Sequence, residues 1–309
     1  MPRLTVAVST FRETYFELVI QLLKCLENQT FRDFKVLIVV NSNERYFQKL
    51  FNKVNHKSNP NTAFEVDVIF NPTDLGIAHA RNISLKTADT PYIAFTDDDI
   101  IPHNQWLHAL LDTIETSDRV GAVTGPVIAN WSLDSQEIGS WFPRELYWII
   151  GCTPWLITTI KEVRNGFASN LALKRDIALE CGGFNEDFGY NPRNALVGEE
   201  PEFGIRLRRM GKSTLWNPNA VVYHRITRNR VKLQNVLNRS FAEGKTKAYL
   251  RQILGKESTE LEINHLQSVI KAFVKTKSLR SKALLASSTL AVLAGYLGSY
   301  GKSDRRDFL

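Results

Sequence analysis

A chain of 309 residues is long enough to bury a sizeable core, as one large domain or as one domain with a tail. Its 43% hydrophobic and 23% charged residues exclude a disordered or fibrous polymer. Cys25, Cys152 and Cys181, few and outside metal-ligand spacing, exclude a disulfide scaffold and suit a reducing compartment. The net charge of +7 is unevenly held. Residues 1–204 carry 18 Lys/Arg against 26 Asp/Glu, and residues 205–309 carry 21 against 6. A basic C-terminal third on an acidic body points to an anionic partner, membrane or nucleic acid.

Met1-Pro2-Arg3 leads straight into a β-branched first strand, Leu4 to Ser9, which reads as a chain without a signal peptide. That strand ends in Thr10-Phe11-Arg12-Glu13. Tyr15 to Asn28 has helical spacing through Leu18, Leu22, Leu23 and Leu26. Phe34 to Val40 is a second strand ending in Asn41-Ser42-Asn43, followed by a helix with Tyr46, Leu50 and Val54. Val66 to Phe70 is a third strand. A turn, Asn71 to Gly76, and a short helix with Arg81 and Asn82 lead to a fourth, Tyr92 to Phe95. Gln105 to Thr116 reads as another helix and Val120 to Val127 as a fifth strand. Strands alternating with helices predict an α/β fold, a Rossmann-like, mostly parallel twisted sheet with helices on both faces.

The fourth strand delivers Asp97-Asp98-Asp99. Three carboxylates at one tip offer Mg²⁺ or Mn²⁺ the hard oxygens these ions take, usually shared with substrate phosphates. A solvated acidic turn is the plain alternative. The position at the carboxyl end of a strand, where open α/β sheets bind ligands, favours the metal–phosphate reading. Parallel strands point the same way, so Thr10 and Glu13, Asn41, and Asp97 to Asp99 are expected on one rim, as a nucleotide-phosphate pocket requires.

An aromatic, uncharged run around Trp148 to Ile157, with Trp155 inside it, is too short to span a bilayer. It reads equally as core, or as a lining for an apolar acceptor or a membrane interface. Asn165 to Lys174 precedes a helix closed by Gly182-Gly183. Gly198-Glu199-Glu200-Pro201-Glu202 opens the next helix, with Pro201 suited to its first turn. Those carboxylates suit the helix dipole, and they equally offer a base facing the metal site. Val221 to Tyr223 is a strand ending in His224, structural or a ligand.

Taken in order, Val8 to Glu13, Asn41-Ser42, Asn71 to Gly76, Ala80-Arg81-Asn82 and Thr96 to Asp99 resemble the inverting family 2 glycosyltransferases of the GT-A fold. Gly166 to Asn170, Gly182-Gly183-Phe184, Gly198 to Glu202 and His224 continue the likeness, which covers roughly residues 3–230. The resemblance implies a metal-dependent hexosyl transfer with inversion, from a nucleotide-diphosphate sugar to a saccharide or a polyprenyl- or dolichyl-linked acceptor. It places Thr10, Glu13, Asn41, Arg81, Asp97 and Asp98 at the nucleotide, and Asp97, Asp99 and His224 at Mg²⁺ or Mn²⁺. Glu200 would be the base, with Glu199 second. Asn170 and Trp155 would meet the acceptor or donor sugar. The family's acidic pair is Glu-Asp; here it is Glu-Glu. The second strand normally ends in Asp, so Asn41 would serve by amide hydrogen bonds, with a UDP-sugar the first expectation. Gly151-Cys152-Thr153 and the basic tail are most like the branch extending lipid-linked saccharides.

The domains expected are a GT-A domain over 1–230 and a basic helical extension over 231–309. Val231 to Leu254 is basic and amphipathic, and Thr259-Glu260-Leu261-Glu262 reads as a capping box. Ala283 to Tyr300 carries no charge but is diluted by serine, threonine and glycine, a marginal span at best. Packing of a terminal hairpin is one reading. Attachment to the cytoplasmic face of an anionic membrane is the other. A sugar nucleotidyltransferase would want a glycine-rich loop after the first strand, and Ser9 to Glu13 holds no glycine. A non-catalytic nucleic-acid binder would want aromatics among the basic residues; Tyr249 and Phe273 are too sparse, so no nucleic acid is expected.

Overall fold

The computed structural model describes residues 2–54, 63–154, 157–189 and 196–299. Two compact units divide the chain. The first takes Met1–Val127, Ile157–Glu186 and Glu199–Tyr223; the second takes Ile128–Leu156, Asp187–Gly198 and His224–Leu309.

In the first unit β1 (Leu4–Thr10), α1 (Phe16–Glu27), β2 (Phe34–Asn41), α2 (Glu44–Val54), β3 (Val66–Asn71), α3 (Ile77–Thr87) and β4 (Tyr92–Asp97) alternate as the hydrophobic pattern predicts. β1 and β2 are buried along almost their whole length, which is why they read as continuous apolar runs. β3 alternates, with Val66 and Val68 buried and Asp67 half-buried, as an edge strand does. α1 buries Val19, Leu22, Leu23 and Leu26, one stripe at i, i+3, i+4 and i+7. Each such side chain contributes about 1.5–3 kcal/mol on burial.

Beyond β5 (Ile100–Pro102) and α4 (Trp106–Ile114), the expected fifth strand is two: β6 (Val120–Thr124) and β7 (Val127–Trp131). Gly125 divides them because a Cβ there would lie 2.3 Å from the Ala220 carbonyl oxygen. After α5 (Gln136–Trp141) come β8 (Lys161–Val163), β9 (Leu171–Lys174), α6 (Arg175–Glu180), α7 (Glu199–Arg209), β10 (Ser213–Trp216) and β11 (Val222–Ile226). β7 and β11 each begin in the first unit and carry the chain into the second.

The central sheet has the order β3-β2-β1-β4-β9-β6-β10-β8. β3, β2, β1 and β4 are parallel; β9 runs antiparallel to both β4 and β6, and β10 is parallel to β6. The chain winds outward from β1 to β3, then returns to lay β4 on the other side of β1. That reversal opens a crevice between the carboxyl ends of β1 and β4, where doubly wound sheets hold ligands. Behind it Phe95, Leu171, Leu173, Phe184, Phe203 and Leu207 form one buried cluster.

The second unit is built on α8 (Leu233–Leu254), α9 (Glu260–Lys275) and α10 (Leu279–Ser299). α8 and α10 cross closely: a Cβ on Gly244 would lie 2.0 Å from the Val292 carbonyl oxygen, and one on Gly295 2.1 Å from that of Phe241. α9 starts where the capping signal predicts, but the box does not form. The Thr259 hydroxyl donates back to the Lys256 carbonyl at 3.2 Å. Among the described residues no helix is long and apolar enough to cross a membrane.

Candidate active site

Four neighbouring parallel strands of the first unit end in polar residues: Thr10 on β1, Asn41 on β2, Asn71 on β3 and Asp97 on β4. The register sets them side by side, with Ser9 opposite Asp97, Thr10 opposite Val40 and Asn41 opposite Asn71. The Thr10 hydroxyl donates to Asp98 Oδ2 at 2.6 Å and lies 3.2 Å from the Tyr46 hydroxyl. Burial pushes the Tyr46 phenol up to about 12, with the Asp98 and Glu13 charges adding to it, so Tyr46 stays a neutral hydroxyl. Asn71 Nδ2 donates to Asn41 Oδ1 at 2.7 Å, which spends the acceptor of Asn41 and leaves its N–H donors for a ligand. Next to it Ser42 has φ 51°, the one non-glycine among the described residues in the left-handed region. Such a residue costs about 1–2 kcal/mol, strain of the kind that collects at functional rims.

Of the three aspartates, Asp98 is buried and holds the β4–β5 turn to Thr10. Asp97 and Asp99 are half-buried, and Asp97 Oδ1 lies 3.4 Å from Arg81 Nη2. Among the described residues no three His, Cys, Asp or Glu side chains converge into a closed metal cage. Two neighbouring carboxylates fit the other kind of site, in which Mg²⁺ or Mn²⁺ is held by one or two carboxylates and completed by substrate phosphates. Glu13 is paired with Lys49 at 3.2 Å and Arg45 at 3.7 Å, and its charge reaches Tyr46.

The acidic pair opens α7 after Gly198, whose φ of 86° suits only glycine well. Glu199 is buried and ion-paired with Arg81 Nη1. Arg81, expected at the nucleotide, is itself buried; its Nη1 is also 4.0 Å from Glu200 Oε1, so one guanidinium bridges Asp97 and both glutamates. Burial pulls its pKa down and Glu199, Asp97 and Glu200 outweigh that, so Arg81 stays charged. Glu200 accepts the Ala168 N–H at 3.1 Å and keeps 18% of its side chain exposed against 7% for Glu199. Burial, then the charge of Glu199, push the Glu200 carboxyl up to about 7 against the opposing pull of Arg81. Glu202 is spent on Arg206 at 2.6 Å, and Arg206 in turn donates to the Gly183 carbonyl at 2.7 Å. Geometry thus separates the three glutamates, and Glu200 is the one poised to take a proton near neutral pH.

Asn82 clamps the Gly182-Gly183-Phe184 turn, its Oδ1 accepting the Phe184 N–H and its Nδ2 donating to the Phe184 carbonyl, both at 2.8 Å. Asn170, expected at a sugar, is fully buried. Its Oδ1 accepts from Trp106 Nε1 at 2.8 Å, and its Nδ2 donates to the carbonyls of Ala220 at 2.7 Å and Pro126 at 3.1 Å. Its amide is consumed in holding the start of β9. Trp155 lies outside the described residues. In the second unit His224 is buried within β11, with Nδ1 3.1 Å from the Gly151 carbonyl oxygen and Nε2 2.7 Å from Arg230 Nη1. Both ring nitrogens are engaged, so coordination of an ion by His224 requires Arg230 to withdraw. Gly151 fits this packing because a Cβ there would lie 2.8 Å from His224 Cε1.

Tyr46 and the Arg81 bridge escape a reading of the sequence alone. Tyr46 sits on the apolar stripe of α2, and nothing local to Arg81 shows that it joins Asp97, 16 residues on, to Glu199, 118 residues on. Asn71 had a signal, an asparagine closing a strand.

The profile of glycosyl transferase family 2 matches residues 5–184. The glucosyl-dolichyl phosphate glucuronosyltransferase of Haloferax volcanii is 26% identical over 291 residues, 94% of this chain and 89% of that one. The succinoglycan biosynthesis protein ExoM of Rhizobium meliloti is 28% identical over 60% of this chain and 56% of its own length. Among solved structures, a mannosyltransferase of Pyrobaculum calidifontis in complex with GDP-Man and Mn²⁺ superposes with a TM-score of 0.60 at 17% identity, over 96% of this chain and 87% of that one. S. aureus TarS 1–349 in complex with UDP gives 0.52 at 13% identity, over 97% and 83%. At these identities the two structures establish the GT-A fold.

Proposed function

The chain belongs to glycosyl transferase family 2, and from that premise we propose that it moves a sugar, with inversion, from a nucleotide-diphosphate donor to a hydroxyl of a dolichyl- or polyprenyl-linked saccharide. The observation that carries the reading is Glu200, a carboxyl held near 7 on the rim-side helix, next to a guanidinium that also reaches Asp97. A general base works best with a pKa near the operating pH, and a sugar hydroxyl is an acceptor that needs one. A bare polyprenyl phosphate arrives ionised and does not, so the raised Glu200 favours a lipid-linked saccharide. The likeness to the Haloferax enzyme over 94% of this chain supports the same acceptor class.

Asn41 closes β2 on the rim where the nucleoside would lie, and the buried Thr10 and Tyr46 support the Asp98 turn beside it. Asn41 offers donors, which suits the carbonyls of uracil, so a UDP-sugar stays the first expectation. The fold is shared with structures holding GDP-Man and UDP and does not choose between the bases. Asp97 and Asp99 would hold Mg²⁺ or Mn²⁺ at the diphosphate. That ion supplies positive charge to the departing nucleotide. Asp98 and Thr10 fix the turn that carries both ligands, and Glu200 takes the acceptor proton. The basic C-terminal third suits an enzyme resting on the anionic cytoplasmic face of a membrane.

The test is a thermal-shift screen of nucleotide sugars with and without Mn²⁺, followed by transfer to glucosyl polyprenyl phosphate read by mass spectrometry and anomeric NMR. Mn²⁺-dependent stabilisation by one donor, lost in Asp99→Asn with the fold intact, is the expected result. Unchanged donor affinity in Asp99→Asn would remove the metal assignment, and transfer with retained anomeric configuration would overturn the mechanism.

A further inference from the structure

Helix α9 rests on the second unit by a narrow stripe. Val269 is buried, and His265 Nε2 donates to the Glu145 carbonyl at 2.7 Å. The adjoining face is apolar and open. Leu266, Ile270, Phe273 and Val274, at i, i+4, i+7 and i+8, are 38%, 55%, 40% and 72% exposed, and Leu279 at the start of α10 is 82% exposed. A helix stripe of that spacing is ordinarily the one a protein buries. No Asp or Glu occurs from Ile263 to Ser303, while Lys271, Lys275, Lys277, Arg280 and Lys282 fall within 12 residues of one another. Arg280 answers Glu137 at 3.2 Å, and the Lys282 ammonium stands 5.6 Å over the Phe273 ring. Lys271, Lys275 and Lys277 are exposed.

We propose that this corner, residues 266–282, is a docking surface for an anionic lipid bilayer. Phe273, Val274 and Leu279 enter the acyl boundary, and Lys271, Lys275 and Lys277 stay at headgroup level. The pairing of properties selects this occupant. A phosphate backbone wants cations and stacking rings and gains nothing from Leu266, Ile270 and Val274. A second copy would set the same uncompensated cations face to face, which opposes association. An amphipathic helix with lysines beside its apolar stripe, too short and too charged to span, is the form that lies in the membrane interface. The surface rests on the membrane placement given with the proposed function, and its test uses no sugar substrate, so it and the transfer reaction fail separately.

The test is flotation of the full chain with phosphatidylglycerol–phosphatidylcholine vesicles and with phosphatidylcholine alone. Co-flotation with the anionic vesicles only, weakened by salt, is the expected result. Phe273→Ser/Val274→Ser/Leu279→Ser and Lys271→Gln/Lys275→Gln/Lys277→Gln should each lower the vesicle-bound to free ratio about tenfold or more, given roughly additive contributions from each buried group and each cation. Both sets change exposed positions, so both should melt at the wild-type temperature, and either one that folds suffices. Failure of the wild type to float at low ionic strength overturns the proposal. So does equal binding to neutral vesicles, or undiminished binding by a folded triple variant. A dimer by light scattering, lost in the serine variant and present without vesicle binding, assigns the face to a second copy and overturns it as well.

Discussion

Two adjacent carboxylates in a buried site repel, and the chain relieves the repulsion unequally, pairing Arg81 directly with Glu199 and leaving it 4.0 Å from Glu200, which accepts the Ala168 N–H. Glu200→Gln keeps that hydrogen bond and should leave donor-induced thermal stabilisation intact while turnover falls by about 10²–10⁴. Near-normal turnover would move the role to Glu199. The same substitution has a stability signature. The native state holds a Glu200 proton up to about pH 7 that the unfolded chain releases near 4.5, so wild-type stability falls as pH rises across that window. Glu200→Gln should therefore melt higher than wild type at pH 8, with the gap closing toward pH 5. A pH-independent gap would mean that Glu200 titrates normally. Arg81→Met leaves the buried Glu199 without its cation and should cost about 3–5 kcal/mol in a urea titration. Adding Glu199→Leu should return a good part of that, since what hurts is the orphaned charge. No recovery would show that Arg81 acts through packing alone. At this scale the sequence located the acidic residues and put Glu200 before Glu199 by resemblance alone; the physical ground for that order, a partner 118 residues away, is written in no local pattern.

At the scale of elements, legibility followed cause. β1, β2 and β4 were readable because central parallel strands are buried on both faces and so spell continuous apolar runs. β9 was not. Its four residues follow a 3-10 turn and gain their place from antiparallel pairing with β4 and β6, which no local pattern encodes. The capping box at Thr259 had the right letters and the wrong geometry: ψ of 6° at the cap and a hydroxyl turned back to Lys256. The α8–α10 crossing was hidden for a similar reason, since Gly295 reads as dilution of an uncharged run until the close approach gives it and Gly244 a purpose. Gly244→Leu should separate these helices and lower the melting temperature by several degrees, as overpacking typically costs about 1–3 kcal/mol. Gly298→Ala, on α10 with nothing within 4 Å of the added Cβ, should leave it unchanged or raise it slightly. Equal effects of the two substitutions would contradict the crossing.

On the scale of the whole molecule, the charge division in the sequence, acidic through residue 204 and basic after it, anticipates a division of labour. The residues placed at the nucleotide, Thr10, Asn41, Asp97 and Asp99, all belong to the first unit, and the exposed basic corner belongs to the second. A ligand stabilises what it touches by RT ln(1 + [L]/Kd), about 2.7 kcal/mol at a hundredfold excess over Kd, and slows amide exchange in the elements whose opening would release it. Hydrogen exchange with Mn²⁺ and UDP should therefore protect the carboxyl ends of β1, β2 and β4 and the first turn of α7, which carries Glu199 toward Arg81. α8 to α10 should exchange as before. Anionic vesicles should give the converse pattern, protecting α9 and the start of α10 while β1 to β4 stay unchanged. If the nucleotide instead protects α8 to α10, the donor site draws on both units, and the assignment of nucleotide binding to the sheet rim alone is wrong.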